Sequence, residues 1–464
     1  MSSPAQTSLP AVFRLLVPAT EDTQSVIYVG GRNWVLTEAI PFPPTHSTPA
    51  YTAISYACGL GRSPHPITGY EPMSDRTLGA VNAALLVHGA EALWIDSFCV
   101  PMDRLERAEC LRRMGAIYAR AAKVVVVLSE PCSAMLEQIN ASTRVDESAL
   151  MALEADDWIS RVWTYHEVVN NDYVYFVAAG GRVSVAAADL LRELTYALDD
   201  FKKAHALDSF ELAGLFPRLN GFDNLMLDWK MWGYLERSAY QVMTTTHRRH
   251  ATHPEDHFHA VFGAIATSSS AALPSVDLHP AEAFMQLCEL AGDYSFLYTT
   301  APRDRTQGRS WRPEAQTPFE VVLPWPSYGK GQHATALPTH LQLEDMWLLT
   351  PCPLRPDAKD FLLRWLKTSP DALCGEDLSA RVLRRLRAAG FAGCGEIVEL
   401  ESGYFFPHES LRDTEVKVAI ATGVRTTFGA VALGLVRRVS LFEIYGVGVF
   451  VGRIRGEGAP INVA

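Results

Sequence analysis

Residues 92–130, ALWIDSFCVPMDRLERAECLRRMGAIYARAAKVVVVLSE, decide how the chain is read. ALWIDSFCV (92–100) has the near-continuous apolar character of a buried strand. RAECLRRMGAIYARAA (107–122) places apolar residues at helical spacing, and KVVVVLSE (123–130) reads as a nearly pure apolar strand. Such apolar runs suit parallel strands covered by helices on both faces.

The alternation extends in both directions. Upstream, YTAISYACG (51–59) reads as a strand ending in glycine, followed by a Pro/Gly-rich loop (60–74) and an amphipathic helix across LGAVNAALLVHGA. Before it, FRLLVPATEDTQSVIYVGGRNWVLTEAIPF alternates apolar and polar residues around Gly30-Gly31, as β-strands joined by tight turns do. Downstream, an insert of small and acidic residues (131–157) leads to WISRVWTYHEVV (158–169), read as one helix, and YVYFVAA (173–179), read as a strand. The expectation is an α/β domain over 1–190 built on a doubly wound parallel sheet, then a helical region over 191–300. A mixed, β-rich C-terminal module over 301–464 completes it, with one helix across SARVLRRLRAAGF and strands in EVKVAIATGV and AVALGLVRRVSLFEIYGVGVFVGRIR. No repeat of 20 to 50 residues stands out.

Whole-chain composition narrows the function classes. At 464 residues, with 48% hydrophobic and 20% charged residues, the chain can bury more than one core. A net charge of −11 and a pI near 5.7 argue against nucleic acid as partner, since a phosphate backbone is gripped by clustered Lys and Arg. No window of 18 uninterrupted apolar residues occurs and the N-terminus has no signal-peptide pattern, so a non-membrane, cytoplasmic protein is expected. The eight cysteines form no CxxC pair, which fits reduced thiols. Walker A, GxSxG and GxGxxG patterns are all missing, which removes sequence support for P-loop, α/β-hydrolase and dehydrogenase readings.

Four stretches, YTAISYACG, LWIDSFCV, RRMGAIYARAAKVVVVLSE and SRVWTYHE, together resemble the heterokaryon-incompatibility (HET) domain in order and spacing. RRHATHPEDHFHAVFG (248–263) and SWRP (310–313) look like segments that follow this domain in fungal HET proteins. The chain departs from the usual pattern at Cys58, where tryptophan is typical, at Val100-Pro101-Met102, and at His166, where glutamine often precedes the glutamate. HET domains are in turn similar to Toll/interleukin-1 receptor (TIR) domains, which implies a TIR-like (flavodoxin-like) fold. It also implies a Trp-x-x-x-Glu pair at Trp163 and Glu167. In catalytic TIR domains that glutamate cleaves nicotinamide from NAD.

From this resemblance Glu167 is the catalytic candidate and Trp163 a nucleotide-contact candidate; Ser55, Tyr56, Gly59 and Asp96, at the carboxyl ends of expected strands where open α/β sheets bind ligands, are the other nucleotide-contact candidates. Each has a plain structural reading beside it: Glu167 as an ion-pair partner of Arg161, Tyr56 and Trp163 as packing, Gly59 as a turn, Asp96 as a cap. Cys99 reads better as a buried inert thiol than as a nucleophile. His253 and His257 have i, i+4 spacing beside His247, His250 and His259. Without HExxH, and with Pro254-Glu255-Asp256 resembling a helix first turn, no metal site is expected there.

The resemblance implies a protein of non-self recognition and programmed cell death, comparable to innate immunity. It would hydrolyse the N-glycosidic bond of NAD or a related nucleotide, with no bound cofactor and NAD as substrate. The alternative is a non-catalytic module that signals by self-association through the TIR-like domain. A third reading makes the regions after 190 a ligand sensor that keeps the first domain silent.

Overall fold

The computed structural model describes residues 12–20, 27–45, 47–66, 72–207, 209–233, 236–247, 249–265, 274–275, 277–306, 308–315, 327–352, 386, 391, 398–409, 416–426, 429–438, 441–452, 454 and 457–464. The chain divides into two compact units. The first comprises Met1–Tyr234 with Arg249–Thr252 and Phe262–Ala264, and the second comprises Leu235–Arg248, His253–Val261 and Ile265–Ala464.

The first unit is built on an eight-stranded mixed sheet. In chain order its strands are β1 (Leu16–Pro18), β2 (Ile27–Val29), β3 (Arg32–Leu36), β4 (Thr52–Tyr56), β5 (Leu93–Trp94), β6 (Lys123–Leu128), β7 (Val174–Ala178) and β8 (Ser184–Ala186). Across the sheet they run β8-β7-β6-β4-β5-β1-β3-β2. Only β7, β6, β4 and β5 pair in parallel, and by chain order they stand 2-1-3-4. The sheet is therefore mixed, where a parallel one was expected. The reason lies in the connections: β2 and β3 are joined by Gly30-Gly31, both at positive φ, and such a two-residue turn can only make an antiparallel hairpin.

Helices cover this sheet. α1 (Thr77–His88) packs on β4, β6 and β7. After α2 (Asp96–Cys99) comes α3 (Arg104–Arg120), which starts where the Asp103 carboxylate accepts from the backbone N–H of Leu105 and Glu106 at 3.0 Å. The expected insert holds α4 (Ser133–Asn140) and α5 (Glu147–Glu154), which are followed by α6 (Thr164–Val169), α7 (Ala187–Ala204), α8 (Ser209–Leu215) and α9 (Pro217–Met231). The central strand β6 buries Val124 through Leu128, each side chain removing apolar surface worth about 1.5–3 kcal/mol from water.

Two local expectations change. The strand read over 92–100 pairs only through Leu93–Trp94, because Asp96 accepts the Ser97 N–H at 2.6 Å and turns the chain into α2. The helix read over 158–169 is interrupted: Trp158–Ser160 is a 3₁₀ turn, then Val162 N–H donates to His250 C=O at 2.9 Å while His250 N–H donates to Ser160 C=O at 2.6 Å. The backbone groups that would continue the helix are taken by this bridge, and α6 starts only at Thr164.

The second unit begins with α10 (Ala239–Thr246), α11 (Pro254–Phe262, its last residue in the first unit) and α12 (Pro280–Leu290). Its strands are β9 (Ser327–Tyr328), β10 (Ala334–Leu337), β11 (His340–Leu349), β12 (Val398–Leu400), β13 (Gly403–Pro407), β14 (Lys417–Thr426), β15 (Gly429–Arg438), β16 (Leu441–Gly452) and β17 (Ala459–Val463). Pairings run β11 to β14, β14 to β15, β15 to β16, β16 to β17 and β17 back to β11, so five strands close into a ring. Phe405, Val418, Ile420, Ala432 and Phe450 fill the core beside this ring. The β-rich character expected for the C-terminal region is found. The helix expected across SARVLRRLRAAGF lies outside the described residues, apart from Leu386 and Phe391.

Candidate functional site

In the four parallel strands the direction of sheet growth reverses between β4 and β6, so the loops leaving their carboxyl ends diverge and open a place for polar side chains. Ser55 and Tyr56 are the last two residues of β4, and Asp96 follows β5. α6 contacts β4 and brings Glu167 to the same end.

Glu167 is 6% exposed, and its carboxylate accepts a short hydrogen bond from the Ser55 hydroxyl. Ser55 Oγ in turn accepts from the indole N–H of Trp158 at 2.7 Å. Trp158 is fixed from behind: its backbone N–H donates to Asp156 at 2.8 Å, and the other Asp156 oxygen accepts the backbone N–H of Ser129, just past β6, at 2.7 Å. A hydrogen-bonded chain thus runs from the β6 end through Asp156, Trp158 and Ser55 to Glu167. Beside it, the Tyr56 hydroxyl bonds Ser97 Oγ at 2.6 Å and Thr77 Oγ1 at 2.8 Å.

Burial dominates the electrostatics. It raises the Glu167 pKa from 4.5 to about 7, assisted by the Asp96 charge and opposed by the Ser55 hydrogen bond and by Arg161 and Arg249. Among the described residues no ion pair reaches the Glu167 carboxylate, so the two guanidiniums act at a distance. Asp96 is raised by burial too, with Ser97, Arg161 and Tyr56 acting the other way. Arg161 loses by burial but is held cationic by Cys58, Glu167 and Asp96. Burial lowers Arg249 to about 10, and this side chain clamps the α6 entrance through the Arg161 carbonyl (2.9 Å) and Thr164 Oγ1 (2.7 Å). A buried carboxyl that titrates near neutrality can hold or release a proton under physiological conditions, which most surface glutamates cannot.

Ser55, Tyr56, Asp96 and Glu167 thus form one polar cluster, in which Cys58, Asp96, Ser97 and Arg161 are part-exposed while Ser55, Tyr56 and Glu167 are buried. Gly59 adopts φ +62, and a Cβ there would come within 2.7 Å of Arg76 Nε, so glycine is needed for the turn as well as for the space. Trp163, half-buried, precedes α6 and meets the His166 ring edge-on at 5.8 Å. The Cys99 thiol is buried and pushed up to about 12, which keeps it protonated and inert. Among the described residues no group of three or more His, Cys, Asp or Glu is arranged to hold a metal ion. His257 is lowered to about 4 by burial and by His247.

Trp158, Asp156, Ser129, Ser97 and Arg249 were missed as cluster members. Arg249 lies beyond residue 190, so a chain cut there would lose a side chain that fixes α6. The local signal for Asp156 and Trp158 was their place just ahead of SRVWTYHE; Arg249 had none beyond its RRHATHPED segment.

The first unit is an α/β domain whose mixed sheet gathers a carboxylate-bearing polar cluster at the reversal of its parallel strands. Residues 51–167 match the family described as heterokaryon incompatibility protein (HET), a segment that opens just before β4 and closes on Glu167. The chain carries a HET domain, and the domain points to a role in heterokaryon incompatibility. No curated protein and no solved structure matches the chain. No described helix is long and apolar enough to cross a membrane.

Proposed function

We propose that this HET-domain protein acts in the cytoplasm in non-self recognition and programmed cell death, by binding NAD or a related nucleotide and hydrolysing its N-glycosidic bond. The observation that carries the reading is Glu167: a buried carboxyl at the strand-order reversal with a pKa of about 7. The 2-1-3-4 order of the parallel strands supports a TIR-like, flavodoxin-like frame for it.

Nicotinamide leaves NAD as a neutral molecule, because the positive ring nitrogen takes the electron pair of the broken C–N bond. No general acid is needed for departure. Ionised Glu167 stabilises the positive charge that develops on the ribose and accepts the proton of the water that forms the new C–O bond, giving ADP-ribose, nicotinamide and one proton. In this reading Arg161, part-exposed beside Cys58 and Asp96, is the cation assigned to the pyrophosphate, and Asp96 and Trp163 are the side chains assigned to the ribose and ring. Ser55 and Tyr56 serve from behind, their hydroxyls being engaged within the protein.

The alternative, a non-catalytic TIR-like module that works by self-association, draws on the same burial: a carboxyl only 6% exposed and bonded to Ser55 can be a structural element. Following nicotinamide release from NAD by the purified chain and by Glu167→Gln separates the two. Release by the parent and none by a folded Glu167→Gln is expected; two equally inert preparations under oligomer-promoting conditions would favour the association reading.

A further inference from the structure

The SWRP loop builds a second site that lies wholly in the second unit and does not depend on the reading of Glu167. On α12, Glu282, Gln286 and Glu289 fall at i, i+4 and i+7 and so share one face. Facing them is the loop of Arg309, Trp311 and Arg312. The turn between β10 and β11 completes a cleft of about 760 Å³, a volume usual for small-molecule and peptide sites. Gly308, at φ +78, lets the loop approach this turn: a Cβ there would stand 2.9 Å from the Pro338 carbonyl.

Arg312 is 2% exposed. Its Nε donates to Glu289 Oε1 at 2.7 Å and its Nη1 to Glu282, but Nη2 is buried without a hydrogen-bond partner among the described residues. A guanidinium is planar with five donors in a fixed fork, so two carboxylates fix its plane and leave the remaining edge aimed in one direction. Arg309 stands at the same cleft, half-exposed, with only loose 3.8 Å contacts to Glu282 and Asp304. Trp311, held by its indole N–H on the Gly308 carbonyl and edge-on to Tyr294 at 5.9 Å, makes a rigid wall.

We propose that this cleft binds a peptide by its free C-terminal carboxylate. The carboxylate accepts from Arg312 Nη2 and from Arg309, and backbone N–H groups of the peptide donate to Glu289. Two cations and two carboxylates line the cleft, and this balance favours a ligand with an acceptor end and adjoining donors over a simple anion, which Glu282 and Glu289 repel.

The test is equilibrium dialysis of the full chain against a pool of randomised tetrapeptides with free carboxyl ends and against the same pool amidated, retained peptides being counted by mass spectrometry. The free acids should be retained roughly tenfold better, the worth of one charge-assisted hydrogen bond. Arg309→Ala, at a half-exposed position with only loose ion-pair contacts, should keep the parent's melting temperature and remove most of that difference. Equal retention of acids and amides, no retention of either, or undiminished preference in a folded Arg309→Ala overturns the proposal. So does displacement by inorganic phosphate as effective as by the free acids, which would mark a general anion site.

Discussion

Two buried polar clusters, one in each unit, answer the same problem in opposite ways. Around Glu167 the arginines stand off, no cation among the described residues makes an ion pair, and burial wins: the carboxyl is pushed up to about 7. Around Arg312 the carboxylates are in contact with the guanidinium, and Glu282, though burial works against its charge, ends below its usual range through hydrogen bonds from Arg312 and Gln286 and the charge of Arg309. The difference teaches that depth of burial and direct contact with a cation together decide which form a carboxyl takes: Glu167 is buried with its arginines at a distance, whereas part-exposed Glu282 touches its guanidinium. The first arrangement leaves a group free to change protonation; the second locks a geometry.

The contrast breaks most visibly in turnover. Glu167→Gln should lower nicotinamide release by about 10³-fold, measured at saturating NAD, if the carboxylate carries the chemistry. Stability at the second cluster is a separate readout. Glu282→Gln should cost about 2 kcal/mol in urea unfolding, below the 3–5 of a fully buried broken pair because Glu282 is part-exposed. An unchanged midpoint would mean Glu289 alone suffices for Arg312.

The same exchange at Glu167 should have the opposite sign at alkaline pH. Its folded pKa of about 7 exceeds the ordinary 4.5, so its contribution is complete below pH 4.5 and is lost as pH rises through 7. Glu167→Gln should therefore unfold at higher denaturant than the parent at pH 8, by up to roughly 3 kcal/mol, with the gap closing toward pH 5. For Glu282, lowered in the folded chain, stability is instead present above its unfolded pKa and is lost as pH falls. Smallest is the effect of Ser55→Ala. Its hydroxyl lowers the Glu167 pKa, so its removal should move the acid limb of the pH–rate profile upward by less than about one unit; a downward shift would contradict the assigned hydrogen bond.

Much of the first unit was legible because its signals are local. The VVVVL of β6, the apolar spacing of α3 and the TAISY of β4 each state their own structure, and the shared motifs carried Ser55, Asp96 and Glu167 to one end of the sheet. What escaped depends on partners distant in sequence. The break between Trp158 and Thr164 exists because His250 occupies the backbone there, and Arg249 reaches α6 from the same returning segment. Antiparallel flanks escaped for another reason: apolar alternation does not say in which direction a neighbour runs. At the second cluster, Glu282, Gln286 and Glu289 looked like the polar face of an ordinary helix, and nothing nearby announced a guanidinium from the SWRP loop.

The closed ring of strands also bears on how the protein avoids sticking to itself. AVALGLV within β15 is uncharged, apolar and free of proline, the composition that seeds cross-β stacking when its backbone is bare. With β14 hydrogen-bonded along one side and β16 along the other, neither flank offers a template to a foreign strand, so loosening the ring would turn this segment into a nucleus for fibrils.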